Sequence, residues 1–285
     1  LAPVACSLVV SSELDSKDRT ISSTDAGEAT DAKDASPPDA GDAGDGSADT
    51  ATIQDAPPGV PDASVDAPIG VVDEPEASIP VFCNASDPDL AACYQFDLPE
   101  NLGLDESQYG NHASTSDVST MAGKSGTALV HGPTSVVKIA DSPSLDVLAI
   151  TIEAWLRPTE LPATRFGVFD NDLQYGVFLQ STGQIRCSAA SHVLTSTPTI
   201  PINAWTHVAY AYDGSTLGIY IDGKRTDEMA ATGEMSTSST VGSRIGANSP
   251  SGDAFIGAID QLRVWRRARS AQEICEAAGA CPAVR

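Results

Sequence analysis

An all-β fold, two antiparallel sheets packed face to face with a short C-terminal helix, is what this sequence predicts, and three observations carry the prediction. The stretch 205–224, WTHVAYAYDGSTLGIYIDGK, reads as two strands and two turns. Residues 205–212 are aromatic, β-branched or small, suited to a pleated, half-buried surface. Asp213-Gly214-Ser215 then supplies a tight loop, Leu217, Ile219 and Ile221 return with period two, and Asp222-Gly223 forms a second Asx-Gly turn. The second observation is a series of short apolar runs separated by Gly, Pro, Asn and Asp, the spacing of a sandwich. Third, Pro158, Pro162, Pro198 and Pro201 fall where connections are expected, so no ladder hydrogen bond is lost.

In chain order, Tyr94-Gln95-Phe96-Asp97 begins the first strand, and DESQYGNH at 105–112 is a turn-rich loop around Gly110 and Asn111. Strands are expected at 127–130, 136–139, 151–157, 166–170, 176–180 and 184–188, then in the central hairpin, then at 241–247 and 254–265. Ser270-Ala271-Gln272-Glu273 is a capping box, predicting a helix over 271–278 that ends at Gly279.

Ahead of this domain, taken as 83–285, the composition changes. Residues 11–82 are rich in Asp, Ala, Pro, Ser, Gly and Thr, a linker that cannot bury enough apolar area to order itself. Residues 1–82 hold 17 acidic and 3 basic residues, 14 of the 23 net negative charges. As a flexible coil the linker spans roughly 50 Å, more with like-charge repulsion. Its Asp-Ala and Asp-Gly pairs lack the ordered ligand spacing of a calcium loop. The acidity argues against nucleic acid as a partner, and no run of eighteen apolar residues marks a membrane-spanning helix. The chain is expected to act as a monomer.

Six cysteines, Cys6, Cys83, Cys93, Cys187, Cys275 and Cys281, bear on the compartment. Cys83 with Cys93 and Cys275 with Cys281 would close short loops at the entry and exit of the domain, as in an exported protein. Cys93 with Cys281 stays open as an alternative. Cys187 is left over as a buried free thiol. No second Cys or His set completes a zinc site.

Several stretches resemble known families. W-T-H-V-A-x-x-Y-D-G-x-x-L-x-I-Y-I-D-G-K, TIEAWLRP at 151–158, FIGAIDQLRVWRRARSAQEI at 255–274 and YQFD at 94–97 resemble the laminin-G-like, concanavalin A-like jelly-roll family over about 83–285. The loop at 105–112 resembles that family's Asp-x-Ser-x-x-Gly-Asn loop. Residues 1–10, with a small residue before Cys6, resemble the tail of a bacterial lipoprotein signal peptide, although Pro3 stands where Leu is usual. CSLVVSS resembles the start of lipoproteins of soil bacteria such as myxobacteria. That resemblance implies lipidation of Cys6 and a protein anchored to the outer membrane or cell surface, touching the membrane only through its lipid, with a secreted protein after ordinary cleavage, or no signal at all, as the alternatives.

The family resemblance implies either a calcium-assisted binder of carbohydrate or protein, or a glucanase. A glucanase needs two carboxylates on one strand face, whereas Glu153 shares its face with Thr151 and Trp155 and has no partner. GxSxG and HExxH are absent, and Gly123-Lys124-Ser125-Gly126 breaks before a final Gly. His207 alternates with Trp205 and reads as a sheet histidine. A non-catalytic module is therefore expected, recognising carbohydrate or a cell-surface glycoprotein, with protein–protein adhesion as the alternative. The resemblance places a metal-binding or loop-fixing acid at Asp260, with Asp97 and backbone carbonyls as partners for Ca²⁺. Ligand-facing candidates on loops are Asp105, Asn111, Asp170, Asp172, Tyr175, Asn248 and Asp253. Tyr109, Phe169, Tyr175 or His192 would supply a stacking face for a sugar. Arg263, Arg266, Arg267 and Arg269 form a basic cluster whose expected partners are nearby carboxylates or the acidic linker.

Overall fold

The computed structural model describes residues 82–281 except 238. Cys6 with its lipobox-like segment and the acidic stretch through residue 81 lie outside the described residues. Within them the chain forms fifteen strands: β1 Leu90–Tyr94, β2 Ala113–Ser116, β3 Ser119–Ala122, β4 Thr127–His131, β5 Val136–Ile139, β6 Ile150–Pro158, β7 Arg165–Asn171, β8 Tyr175–Gln180, β9 Gln184–Ala189, β10 His192–Thr199, β11 Thr206–Tyr212, β12 Thr216–Ile221, β13 Lys224–Ala230, β14 Ser243–Ile245 and β15 Gly257–Trp265. One helix follows, α1 Ala271–Ala277.

The first sheet runs β13-β12-β11-β6-β15-β4-β3 with β1 also on β15, and the second runs β10-β9-β8-β7-β14-β5-β2. All pairings are antiparallel. This is the jelly-roll-like sandwich that the sequence predicts. The central hairpin is β11–β12, and β11 lies along the whole of β6, from Thr206 opposite Leu156 to Tyr212 opposite Ile150. β15 bulges between Asp260 and Arg263, with Gln261 at φ 49°. Before the bulge its second edge pairs with β4, and after it with β1.

Alternation sorts the side chains as a half-buried sheet requires. Ile150, Ile152, Ala154 and Leu156 of β6 meet Tyr175, Val177 and Leu179 of β8 and Ile185 and Cys187 of β9 in one core between the sheets. Burial pushes the Cys187 thiol far above its ordinary value, so the free cysteine is an inert apolar filler.

Four strands, β2, β3, β10 and β13, have no counterpart in the sequence reading, and they are the four ends of the two sheet orders. Edge strands bury little; β2 and β13 are mostly exposed, so neither shows an apolar alternation. Two proline assignments change accordingly. Pro158 closes β6, and Pro198 lies inside edge strand β10, next to a register shift between Thr195 and Thr199 where its missing N–H disturbs no inner ladder.

The two expected disulfides are present, Cys83–Cys93 and Cys275–Cys281. Helix α1 carries the expected capping box: the Glu273 N–H donates to Ser270 Oγ while Glu273 Oε2 accepts from the Ser270 N–H. Its Ile274 packs on Ala209, Ala211 and Tyr220, covering part of the first sheet's outer face.

Candidate functional site

Residues directly opposite each other in an antiparallel sheet share a face, so register alone places side chains that are far apart in sequence. On the second sheet Lys138 faces Ser114 and Arg244, Arg244 faces Asp170, Asp170 faces Gly176, and Gly176 faces Ser188. Their strand neighbours Val137, Ile139, Ile245, Phe169, Val177 and Cys187 belong to the core, so this row lies on the outer face. One row further along, Phe178 pairs with Arg186. Two guanidinium groups sit over its ring, Arg165 at 4.5 Å and Arg186 at 5.6 Å, a cation–π arrangement.

Connection 246–256 folds back across part of this face. Gly167 permits it: a Cβ there would come within 2.2 Å of the Ala247 backbone. The Gly167 N–H donates to Asp253 O at 2.6 Å and the Gly246 N–H to Val168 O at 2.9 Å. Arg165 fastens the loop from the sheet side, its Nε donating to Asp253 and its Nη2 to Asn248 Oδ1 at 3.1 Å. The Ser249 N–H donates to Asp170 Oδ2 at 2.7 Å. Asp170, Asn248 and Asp253, ligand-facing candidates from sequence, are thus brought together, and Arg165, which sequence reasoning missed, joins two of them. Burial pushes the Asp170 carboxyl up to about 6 and the Asp172 charge adds to it, while the Ser249 amide, Arg165 and Arg186 pull the other way.

Beside Asp170 the β7–β8 turn and the start of β10 enclose a cleft of about 160 Å³, lined among others by Gln174, Ser188, His192 and Val193. Asp170 is the one carboxylate in its wall. Leu173 stands at the rim, 89% exposed and held at φ 61°, a backbone conformation a leucine adopts only at a cost. His192 Nε2 bonds Thr232 O at 3.0 Å. Asp172 accepts from Ser239 Oγ at 2.9 Å at the same end of the sheet.

Tyr175 also borders this cleft, and the remaining candidates lie elsewhere. Tyr175 and Phe169 stack on each other inside the core, and Tyr175 Oη donates to Leu145 O at 2.9 Å. Neither presents a ring to solvent, because their strand parity points inward. Asp105 is a buried knot: it accepts from the Cys93, Ser107 and Asn111 amides and from Ser107 Oγ. Asn111 Nδ2 donates to Ala91 O and Ser144 Oγ. These two residues tie the 105–112 loop to β1. Tyr109 donates to Pro88 O and accepts from Arg266.

On the outer face of the first sheet, Glu153 is fully buried and its Oε1 accepts from Trp265 Nε1 at 2.9 Å and Arg269 Nη1, with Arg263 Nε at 2.9 Å. His207 Nε2 lies 3.6 Å from Oε2. Burial alone would raise the Glu153 carboxyl, but Arg263, His207 and Arg269 overcome it and hold it far below the usual range. Of the basic cluster, Arg263, Arg267 and Arg269 are therefore spent on carboxylates of the domain itself, with Arg267 forked on Glu273, while Arg266 donates to Tyr109 Oη.

Asp97 and Asp260 converge on the turn 123–127. Asp260 Oδ2 accepts from the Lys124 and Ser125 amides at 2.7 and 3.1 Å, and Asp97 Oδ1 from the Thr127 amide at 2.7 Å. Asp260 Oδ1 is buried with no hydrogen-bond donor. Burial pushes its carboxyl up to about 6, the Ser125 and Lys124 amides oppose this and Asp97 adds to it. Among the described residues no group of three or more His, Cys, Asp or Glu side chains is placed to hold a metal ion.

Two antiparallel sheets packed face to face, one with α1 on its outer side, define the class as a jelly-roll-like β-sandwich. The family model for the concanavalin A-like lectin/glucanases superfamily matches residues 131–275, just over half of the chain, and the chain belongs to that superfamily. Among solved structures it is similar to domain 4 of AbnA, an extracellular arabinanase of Geobacillus stearothermophilus determined with arabinotriose. There the TM-score is 0.55 at 22% identity, covering 67% of this chain and 98% of that one. It is also similar to the binding domain of Paraclostridial mosquitocidal protein 1 (TM-score 0.52, 15% identity, 67% and 52% covered). The botulinum neurotoxin serotype G binding domain is another likeness (0.52, 13%, 67% and 50%). This chain spans about half of each toxin domain. No curated protein matches the sequence.

Proposed function

We propose that the domain is a non-catalytic module that binds carbohydrate or a glycoprotein at the Asp170 cleft. The observation that carries this reading is a polar row on the outer face of the second sheet that ends in a cleft lined, among the described residues, by one carboxylate, two serines, a glutamine and a histidine. Such groups hydrogen-bond hydroxyls, while Leu173 and Val193 offer apolar contact. A lone carboxylate supports binding over hydrolysis, which takes a pair. The arabinotriose complex of the arabinanase domain and the binding-domain titles of the toxins are consistent with it. An oligosaccharide screen against the full chain tests the reading. Expected is a ligand lost in Asp170→Ala and retained in Tyr109→Ala; retention of every ligand by Asp170→Ala sinks the site.

Protein–protein adhesion is the second reading, supported by Leu173 and Val193, 89% and 46% exposed at the same rim. Its signature is binding to a protein stripped of glycans. Display on the cell envelope through lipidated Cys6 belongs to the same proposal, supported by two disulfides that suit an oxidising compartment. Labelling with a radioactive fatty acid that survives Cys6→Ser would remove the anchor.

Calcium at Asp97 and Asp260 is a further part of the proposal. The two carboxylates share one turn and Asp260 Oδ1 lacks a donor, a need that a cation and the turn's carbonyls would meet. Thermal unfolding of the full chain with calcium and then chelator is the check, since an ion held only by the native state raises the midpoint. A shift absent from Asp260→Ala supports it; equal midpoints with and without calcium remove it.

A further inference from the structure

Charge is distributed unequally between the sheets. The strands of the first sheet carry Arg157, Lys224, Arg225 and Arg263 against Glu153, Asp227, Glu228 and Asp260. Those of the second carry Lys138, Arg165, Arg186 and Arg244 against Asp170 alone, in a domain that is acidic overall. Cross-strand register puts Lys138, Arg244 and Arg186 on the outer face described above. Among the described residues none of these three forms an ion pair, and none of their side chains donates a hydrogen bond. Arg165 differs: it is committed to Asp253 and Asn248. Lys138 and Arg244, directly opposite each other on neighbouring strands, repel, and with Arg186 further along the row the face is primed for an anion from outside.

We infer that the glycan taken by this face is acidic, a polysaccharide bearing carboxylate groups with hydroxyls beside them. This rests on the carbohydrate reading proposed above. From β5 to β9 the row crosses four strand spacings, roughly 19 Å, long enough for an oligomer. Arg244 and Lys138 at one end and Arg186 towards the other accept carboxylates, and a guanidinium does so in a planar two-pronged geometry. Between them Asp170 and Ser188 need hydroxyl partners. Asp170 also repels a densely charged sulfated polymer, which selects for carboxylates spaced by hydroxyls.

The test uses the full chain with three probes: oligogalacturonate, its methyl ester, and heparin. The ester keeps the sugar backbone and removes the charge. Expected are binding of oligogalacturonate that weakens with ionic strength, and at least about tenfold weaker binding of the ester. The double variant Lys138→Gln/Arg244→Gln loses a similar factor at an unchanged unfolding midpoint. Equal affinity for acid and ester overturns the inference while leaving the carbohydrate reading intact. Heparin binding that exceeds oligogalacturonate and is indifferent to Asp170→Asn also overturns it, as mere polyanion attraction. Binding of neutral sugars alone does the same, and binding of no sugar removes both readings together.

Discussion

The outer faces of the two sheets are opposites. On the first, Glu153 lies under Trp265, Arg263, Arg269 and α1, with its charge matched by neighbours from β15 and the segment after it. On the second, Lys138, Arg186 and Arg244 form no ion pair among the described residues, around a half-committed Asp170. A buried charge must be paired to be tolerated, so the first face is closed by necessity. The second keeps its charges near water and leaves them for something else. The contrast teaches that in this fold the charged residues most conspicuous in sequence, the four arginines at 263–269, are structural, while those that face outward are dispersed.

If the closed face is a clamp, removing its centre should cost most. Glu153→Ala leaves Arg263, Arg269 and His207 without their shared anion and is expected to lose about 3–5 kcal/mol in urea unfolding. A loss under about 1 kcal/mol, a surface-pair value, would break the comparison. Next comes Gly167→Val on the open side, which drives the 246–256 connection off the sheet. It should cost about 1–3 kcal/mol and abolish oligosaccharide binding together; unchanged binding would dissociate that loop from the site.

The pH response should separate two carboxyls of opposite sign, Asp170 and Glu273, with Asp260 on the first sheet sharing the Asp170 window. Asp170, raised to about 6 from 3.8, binds its proton more tightly folded than unfolded. Its contribution to stability is therefore fully present below about 3.8 and lost as pH rises through 6. Asp170→Asn should flatten the fall in stability over that window. Glu273 has the opposite sign: lowered to about 2, chiefly by the Arg267 hydrogen bond, it stabilises above about 4.5, and that contribution is lost as pH falls through 2. A wild-type slope retained by Asp170→Asn would move the titration elsewhere. The smallest effect is expected at the rim, where Leu173→Gly relieves a left-handed leucine. It should be neutral or stabilising by up to about 1 kcal/mol and weaken ligand binding if the exposed side chain is used.

Inner strands were legible because burial on a pleated sheet leaves a period-two apolar record, as in Leu217, Ile219 and Ile221. The edges β2, β3, β10 and β13 were not, since strands with one neighbour and little buried surface need no such record. The same parity explains Tyr175. It continues Val177 and Leu179 inward, a signal present in the sequence but outweighed by its place beside a loop. Asp170, Asn248 and Asp253 were found as turn residues. That Arg165 joins the latter two, and that positions 138, 244 and 186 share one face, follows from register, which no local pattern encodes.

Both ends of the described chain sit on the closed side. Phe82 lies 4.0 Å beneath the Arg263 guanidinium, and Cys83 is bonded to β1. At the far end, α1 rests on β11 and β12, and Cys281 is bonded back to it. A pull on either end is therefore delivered to the strands around Glu153 through covalent links. The row on the opposite sheet lies outside that covalent path.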